Sequence, residues 1–163
     1  MDSLPALLQK KIDHKGLNYK ITNAGLSGET SVGGLTRIDY FLQQIIEVFV
    51  LELGANDILR GIGPTTTAQN LQQIIEKVRL KFPTIKILLL GIEIPAWIPG
   101  AHADEFRKLF RRLADDNRIA LVPFLLDGVA GIKELNLQDG LHPSAAGYKI
   151  IAEKVWPVLL PLL

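Results

Sequence analysis

The sequence predicts an α/β fold in which a parallel sheet lies between two layers of helices, a three-layer sandwich of the flavodoxin-like type. Short apolar runs of strand length alternate along the chain with longer segments whose apolar residues recur every three to four positions. The short runs are apolar almost without interruption, which is typical of strands buried on both faces. Alternation of such strands with helices favours a parallel sheet with right-handed crossovers.

Helices are predicted wherever apolar residues recur three and four positions apart, because that spacing places them on one face. The first such segment begins at Leu4 and contains Ile12, and Gly16 ends it. Near the end of the chain, Ser144 precedes the last segment and suits the position that caps the start of a helix. The four later helices are predicted over residues 35–45, 66–81, 103–116 and 144–159.

Strands are predicted where short apolar runs lie between loops rich in glycine, proline, serine or asparagine. In chain order the predicted strands span residues 18–24, 48–53, 86–94 and 119–126. In open parallel sheets, ligands bind beyond the carboxyl ends of the strands. The loops that follow these four strands are therefore the segments in which to look for chemistry.

Length and composition limit the organisation and the partners of the chain. The 163 residues, 48% of them hydrophobic, predict a single domain over residues 1–163 with a sizeable core. The 18 basic and 17 acidic side chains nearly cancel, so no nucleic-acid partner is expected. No apolar run is long enough to span a bilayer, so no stable membrane insertion is expected. The absence of cysteine excludes disulfides and thiol catalysis, and neither a metal site nor a cofactor is expected.

A carboxylate and a histidine stand close together before the last predicted helix. Asp139 lies three residues before His142, so the carboxylate can turn back onto the imidazole ring. In serine hydrolases such a carboxylate fixes the tautomer of the ring and stabilises its protonated form. The pair therefore predicts a catalytic base with its orienting acid. In the alternative interpretation, Asp139 is a turn residue and His142 a surface residue, since short motifs often occur by chance.

Two other loops are candidates for stabilising negative charge on a substrate oxygen. Asn56 follows a buried strand, where its side-chain amide can donate to a developing oxyanion. Gly28 lies in the loop after the first predicted strand, and its lack of a Cβ allows a backbone N–H to approach a ligand. The alternative is that both residues only supply turn conformations. The Gly28 loop matches neither a phosphate-binding loop nor a dinucleotide fingerprint, and no G-x-S-x-G nucleophile elbow occurs.

Four segments, in this order, resemble the SGNH (GDSL-like) hydrolase superfamily, and in particular its acyl-CoA thioesterase, lysophospholipase and arylesterase branch. They are NAGLSGETSVGGL, VLELGANDILRG, VPFLLDGV and LQDGLHPSAAGY, and the resemblance extends over nearly the whole chain. It implies hydrolysis of carboxylic esters, acyl thioesters or lysophospholipids, with a small acyl substrate as the partner. It also implies that His142 is the general base, Asp139 its orienting acid, and Gly28 and Asn56 the donors of the oxyanion hole.

The resemblance further implies a nucleophile, which the sequence does not supply in the usual place. The family begins with a buried strand that ends in a Gly-Asp-Ser-Leu turn, whose serine attacks the substrate. No such strand precedes residue 3, so the chain is expected to lack this block and the first strand of the sheet. Asp2-Ser3-Leu4 matches part of the turn, which makes Ser3 a candidate nucleophile. The alternative, which the following Pro5 favours, is that Asp2 and Ser3 cap the first helix.

Loss of the nucleophile block predicts a chain with little esterase activity, and the rival hypothesis is a non-catalytic binding module on the same fold. Loss of the first strand predicts an unpaired strand edge, low stability and a strand-exchanged oligomer. The resemblance implies a periplasmic or secreted protein, although the chain shows no signal peptide. Trp97 and Ile98 follow the third predicted strand and are expected to line an acyl pocket.

Overall fold

The computed structural model describes residues 3–94 and 98–163, so the expectations for Asp2 and Trp97 lie outside the described residues. The chain divides into two compact units. The sheet unit is Gly25–Pro123, and the terminal unit combines Met1–Ala24 with Phe124–Leu163. The single domain over residues 1–163 stays a prediction. In the described ranges, no helix is both long enough and apolar enough to cross a membrane.

Three parallel strands form the sheet of the sheet unit: β1 (Val48–Leu51), β2 (Lys86–Leu90) and β3 (Ala120–Val122). They are hydrogen-bonded in the order β1-β2-β3, with Val48 opposite Lys86 and Leu88 opposite Ala120. Leu88 and the two leucines after it are 0–1% exposed, as expected for a strand covered on both faces. The predicted parallel sheet is confirmed, although each strand ends two to four residues earlier than predicted.

The helices of the described residues are α1 (Leu4–His14), α2 (Ser31–Phe41), α3 (Ala55–Leu59), α4 (Pro64–Lys81), α5 (Ala101–Asn117) and α6 (Ala145–Leu159). In the sheet unit, α4 packs against both α2 and α5. Its inward face carries Leu71, Ile74, Ile75 and Val78, each at most 1% exposed. This is the face that the apolar spacing predicts, and it forms the centre of the core of this unit.

Two local predictions for the sheet unit are wrong. The helix predicted over residues 35–45 begins at Ser31, because Thr30 caps it and accepts a hydrogen bond from the Gly33 N–H. Gly34, one of the glycines that suggested a loop, has a packing role instead, since a Cβ there would collide with the side chain of Leu53. The loop predicted after β1 contains the short helix α3, with Gly54 at its start.

The terminal unit is built on the contact between α1 and α6. Leu8 and Ile12 of α1 are buried, as are Ile151 and Val155 of α6. The predicted last helix is confirmed: it begins directly after Ser144, whose hydroxyl oxygen accepts from the backbone N–H three residues later. The capped start of α6 therefore holds the end of the segment that contains Asp139 and His142.

The prediction of a strand over residues 18–24 is wrong, because this segment has an irregular backbone. A strand requires hydrogen bonds to a neighbouring strand, and here a side chain takes that place. The amide of Gln9 donates to the carbonyl of Tyr19 at 3.0 Å, and its oxygen accepts from the Ile21 N–H at 2.7 Å. The Tyr19 hydroxyl also donates to the carbonyl of Leu163. One glutamine of α1 therefore anchors a segment that the sequence suggests is a strand.

Candidate active site

The segment before α6 folds into a closed loop that holds Asp139 and His142. The Leu137 N–H donates to the carbonyl of His142 at 2.7 Å, and the Gly140 N–H donates back to the carbonyl of Leu137 at 2.9 Å. Gly140 has a φ of +68°, which glycine adopts without the steric cost that a Cβ brings. The loop therefore reverses direction between the two residues predicted to act together.

Asp139 contacts His142 with both carboxylate oxygens. Its Oδ2 lies 2.7 Å from Nδ1 of the ring, while Oδ1 accepts from the backbone N–H groups of Leu141 (2.9 Å) and His142 (3.0 Å). These hydrogen bonds, with that from the His142 backbone contributing most, lower the pKa of Asp139 to about 2. The carboxylate is therefore ionised at neutral pH, and it favours the tautomer with the proton on Nδ1, which leaves the lone pair on Nε2.

No nucleophile accompanies this histidine within the described part of the terminal unit. No hydroxyl there forms a hydrogen bond with Nε2 of His142. The hydroxyl of Ser144 contacts the backbone of Glu134 and Gly147 instead. Ser3 is the N-cap residue of α1, as the helix-cap interpretation predicts, but its side chain makes no capping hydrogen bond. The nucleophile therefore stays unassigned.

Gly28 lies in a tight turn of the sheet unit. The Glu29 N–H donates to the carbonyl of Leu26 at 3.2 Å, and Gly28 has a φ of +77°. This is the turn position that requires a positive φ and therefore favours glycine. The N–H of Gly28 has no acceptor in the part of the chain that the structure describes, so it is available to a ligand.

Asn56 is the second residue of α3, which follows β1, and Leu51 is the only residue of that strand that is buried, although the sequence predicts a buried strand. Its side chain is half-buried, and its amide hydrogen-bonds to no residue in the described ranges. Polar side chains that are partly buried usually have a hydrogen-bond partner in the protein or in solvent. The side-chain amide of Asn56 is therefore available to donate, as is the backbone N–H of Gly28.

A buried polar cluster beside these two residues was missed by sequence reasoning. Asp57 is fully buried, and its carboxylate accepts from the Ser31 N–H at 2.8 Å, from the Ser31 hydroxyl, and from the Thr67 hydroxyl at 3.0 Å. Asn70 donates to the Ser31 hydroxyl oxygen at 2.9 Å. The cluster joins the starts of α2 and α3 to α4. The available signal was a carboxylate directly after Asn56, close behind the predicted strand, but no role was assigned to Asp57.

The structure brings together part of the predicted site. His142 and Asp139 form the expected hydrogen-bonded pair in the terminal unit, and Gly28 and Asn56 both lie in the sheet unit. Their catalytic roles, and the expectation that both pairs meet at one edge of the sheet, stay predictions.

Comparison with known proteins agrees with the motifs. The model of the GDSL-like lipase/acylhydrolase family matches residues 1–150. The chain belongs to this family. Among curated relatives, it is 40% identical over 159 residues to the esterase TesA of Pseudomonas aeruginosa, covering 97% of this chain and 78% of that one. It is 35% identical over 160 residues to thioesterase 1/protease 1/lysophospholipase L1 of Escherichia coli, and the match covers 98% of this chain and 74% of that protein.

Solved structures of the family share the fold. The crystal structure of TesA matches with a TM-score of 0.92 at 39% identity and covers 99% of this chain and 89% of that one. AlinE4, described as an SGNH-hydrolase family esterase, matches with a TM-score of 0.76 at 34% identity. The match covers 98% of this chain and 85% of AlinE4. The predicted three-layer α/β/α fold class is confirmed, and the chain is an ester hydrolase by family.

Proposed function

We propose that the chain carries an SGNH-type site for acyl esters, in which His142 is the general base, Asp139 orients it, and Gly28 and Asn56 donate to the oxyanion. The observation that carries this proposal is the state of His142, whose Nδ1 contacts a carboxylate while Nε2 has no hydrogen-bond partner in the described residues. Relatives named esterase, arylesterase and thioesterase/lysophospholipase support carboxylic esters, acyl thioesters and lysophospholipids as the substrate class.

The chemistry follows from these roles. A hydroxyl group or water attacks the acyl carbonyl and gives its proton to Nε2 of His142, and the carboxylate of Asp139 stabilises the resulting imidazolium. The electron pair of the carbonyl moves onto its oxygen, where the Gly28 N–H and the Asn56 amide donate hydrogen bonds. When the intermediate collapses, the alcohol or thiol leaves and takes the proton from Nε2. Each oxyanion donor typically contributes ~10²–10³ in rate.

Water is the attacking group that this proposal assigns to the chain, since no hydroxyl of the described terminal unit contacts Nε2 of His142. In a well-studied serine protease, loss of the nucleophile lowers kcat about 10⁶-fold, and binding and oxyanion donors retain an acceleration of roughly 10³–10⁴ over water. The expected activity is therefore slow hydrolysis without an acyl-enzyme, to which His142 would add ~10²–10⁴ in rate by acting as general base for the attacking water.

The unoccupied Nε2 also favours a second candidate function, a binding module that retains the acyl site without turnover. Both functions use the same donors, so they differ only in whether His142 activates water. The initial rate of p-nitrophenyl butyrate hydrolysis distinguishes them. The hydrolase predicts a rate above that of buffer which His142→Ala abolishes and which His102→Ala, a change at another exposed histidine, leaves unchanged. A rate equal to that of buffer favours the binding module, and a rate that His142→Ala does not alter contradicts the proposed base.

A strand-exchanged oligomer is part of the same proposal. In the described sheet order, β1 and β3 are the two edge strands, and an edge strand offers unpaired backbone groups to another chain. Pairing of β1 with a strand of a second copy would satisfy those groups. Sedimentation equilibrium tests this expectation, which a monomer at all concentrations would contradict. A periplasmic or secreted location, which the resemblance implies, is likewise a proposal.

A further inference from the structure

The residue that follows α3, Arg60, contacts the turn that carries Gly28 and has no role in the proposed function. Arg60 directly follows α3, and its guanidinium donates to the carbonyl of Gly28 at 2.8 Å. Among the described residues it makes no ion pair with any carboxylate. The same nitrogen lies 3.5 Å from the position that a Cβ on Gly28 would occupy. A cation without a counter-ion therefore lies against the backbone of the proposed donor.

This contact controls the direction of the donor. The carbonyl belongs to the peptide plane after Gly28, while the Gly28 N–H belongs to the plane before it. Because Gly28 has a φ of +77°, a conformation that glycine adopts freely, the turn alone does not prevent the two planes from rotating. The hydrogen bond from the charged guanidinium of Arg60 holds the plane of the Gly28 carbonyl more strongly than a neutral donor would. With the carbonyl held by Arg60 and the turn closed by the hydrogen bond from the Glu29 N–H to the Leu26 carbonyl, the peptide plane that carries the Gly28 N–H has fewer orientations open to it.

A second contact holds the far end of the same loop. Asp57 of α3 accepts from the Ser31 N–H at 2.8 Å inside the buried cluster. Asn56 lies on this short helix between the start of α3 and Asp57, four residues before Arg60. The segment that carries Asn56 thus contacts the loop of Gly28 at two points, at the Gly28 carbonyl and at Ser31. Because Asp57 secures the loop independently, removal of Arg60 should leave the loop folded.

We propose that Arg60 is a positioning residue that orients the Gly28 N–H relative to the Asn56 amide and places a positive charge beside the oxyanion. The proposal rests on the proposed function for the roles of Gly28 and Asn56. The contact from Arg60 to the Gly28 carbonyl is present whether or not hydrolysis occurs. Arg60 is not assigned a contact with the substrate.

Backbone order measured by ¹⁵N NMR relaxation tests the positioning role in the intact chain. Arg60→Met removes charge and donors at similar length, Arg60→Lys keeps a charged donor, and Arg112→Met is the control at an exposed arginine of α5 that pairs with Glu105 at 3.4 Å. In Arg60→Met, the order parameter of Gly28 should fall below about 0.6 while that of Ser31 stays near about 0.85. Arg60→Lys should restore part of the order, and the control should match the parent. An unchanged order parameter at Gly28 in Arg60→Met overturns the proposal.

A titration with butyrate, a carboxylate that mimics the oxyanion, gives the functional readout. In the parent chain, the Gly28 amide and the Asn56 side-chain amide should shift, and the apparent Kd should be about tenfold weaker in Arg60→Met and intermediate in Arg60→Lys. Equal affinity in Arg60→Met overturns the positioning role even if Gly28 becomes mobile. If butyrate shifts neither amide in the parent, the assigned donors are wrong, and the proposal that Arg60 orients a donor fails with them. The order parameters report separately whether Arg60 holds the turn.

Discussion

The exposed loop of Asp139 and the buried cluster of Asp57 both centre on a carboxylate that accepts three hydrogen bonds, but they are built differently. The partners of Asp139 lie two and three residues along the chain, and its side chain is 45% exposed. The partners of Asp57 come from Ser31, 26 residues away, and Thr67, 10 residues away, and all three residues are buried. A local motif thus shapes a reactive group, while a long-range cluster holds the elements around the proposed donors in place.

The largest effect is expected from Asp57→Asn. This change keeps the size of the side chain but places an amide N–H₂ where the buried donors of Ser31 and Thr67 need an acceptor. The free energy of unfolding should fall by about 2–4 kcal/mol, because hydrogen bonds to a charged group are lost and buried donors stay unpaired. Urea denaturation measures this fall. The matched control is Asp39→Asn, which removes an exposed ion pair with Lys77 and should cost about 0–1 kcal/mol. Equal stability of the two variants would show that the buried cluster does not hold the fold.

A smaller effect is expected from Gly140→Ala in the exposed loop. No atom lies within 4 Å of the added Cβ, so the cost comes from the φ of +68° alone. A left-handed conformation costs an alanine roughly 1–2 kcal/mol, and urea denaturation should show a loss of that size. Gly140→Asn should cost less, because asparagine tolerates this conformation. If the two substitutions have the same effect, the backbone conformation of Gly140 does not determine the stability of the loop.

The smallest effect on stability is expected from the titration of Asp139. Its pKa is lowered to about 2 in the folded chain, below the ordinary value of 3.8. Its contribution to stability is therefore fully present above about pH 4 and is lost as the pH falls through about 2. A ¹³C NMR titration of the carboxyl should give a midpoint near 2. A midpoint near 3.8 would mean that the hydrogen bonds to Leu141 and His142 do not persist in solution.

The histidine ring should show the consequence of this carboxylate. In the parent chain at neutral pH, ¹⁵N spectra should show His142 mainly with the proton on Nδ1, because Nδ1 faces the ionised Asp139. Asp139→Asn should reduce that preference and should lower the free energy of unfolding only slightly, because the side chain is exposed. His14, which is exposed and pairs with no carboxylate among the described residues, is an internal control. An unchanged tautomer in the variant would contradict the orienting role of Asp139.

The same contrast explains what the sequence could predict. The face of α4, the start of α6 and the Asp139–His142 pair depend on spacings of three or four residues, which are visible in the sequence. The contact between Asp57 and Ser31 joins α3 to the start of α2, 26 residues earlier in the chain, and has no such local signal. Apolar spacing finds helix faces, but it does not show which side chain a buried carboxylate will meet.

The wrong predictions for the start of α2 and for the segment over residues 18–24 have the same cause. Gly33 and Gly34 have low helix propensity and suggested a loop, but they lie in α2, where the absence of a Cβ at Gly34 leaves room for the side chain of Leu53. The segment around Tyr19 has the residues of a strand, but Gln9 supplies its hydrogen bonds. Both segments make contacts with residues ten or more positions away, and one sequence does not reveal those contacts.

The claim that His142 acts without a serine nucleophile has one direct test. The intact chain is incubated with an active-site-directed fluorophosphonate, and its mass is measured. The absence of a hydroxyl hydrogen-bonded to Nε2 within the described terminal unit predicts an unlabelled chain, even where slow turnover that depends on His142 is present. A single phosphonylated serine that disappears in Ser3→Ala would contradict the account and identify Ser3 as the nucleophile.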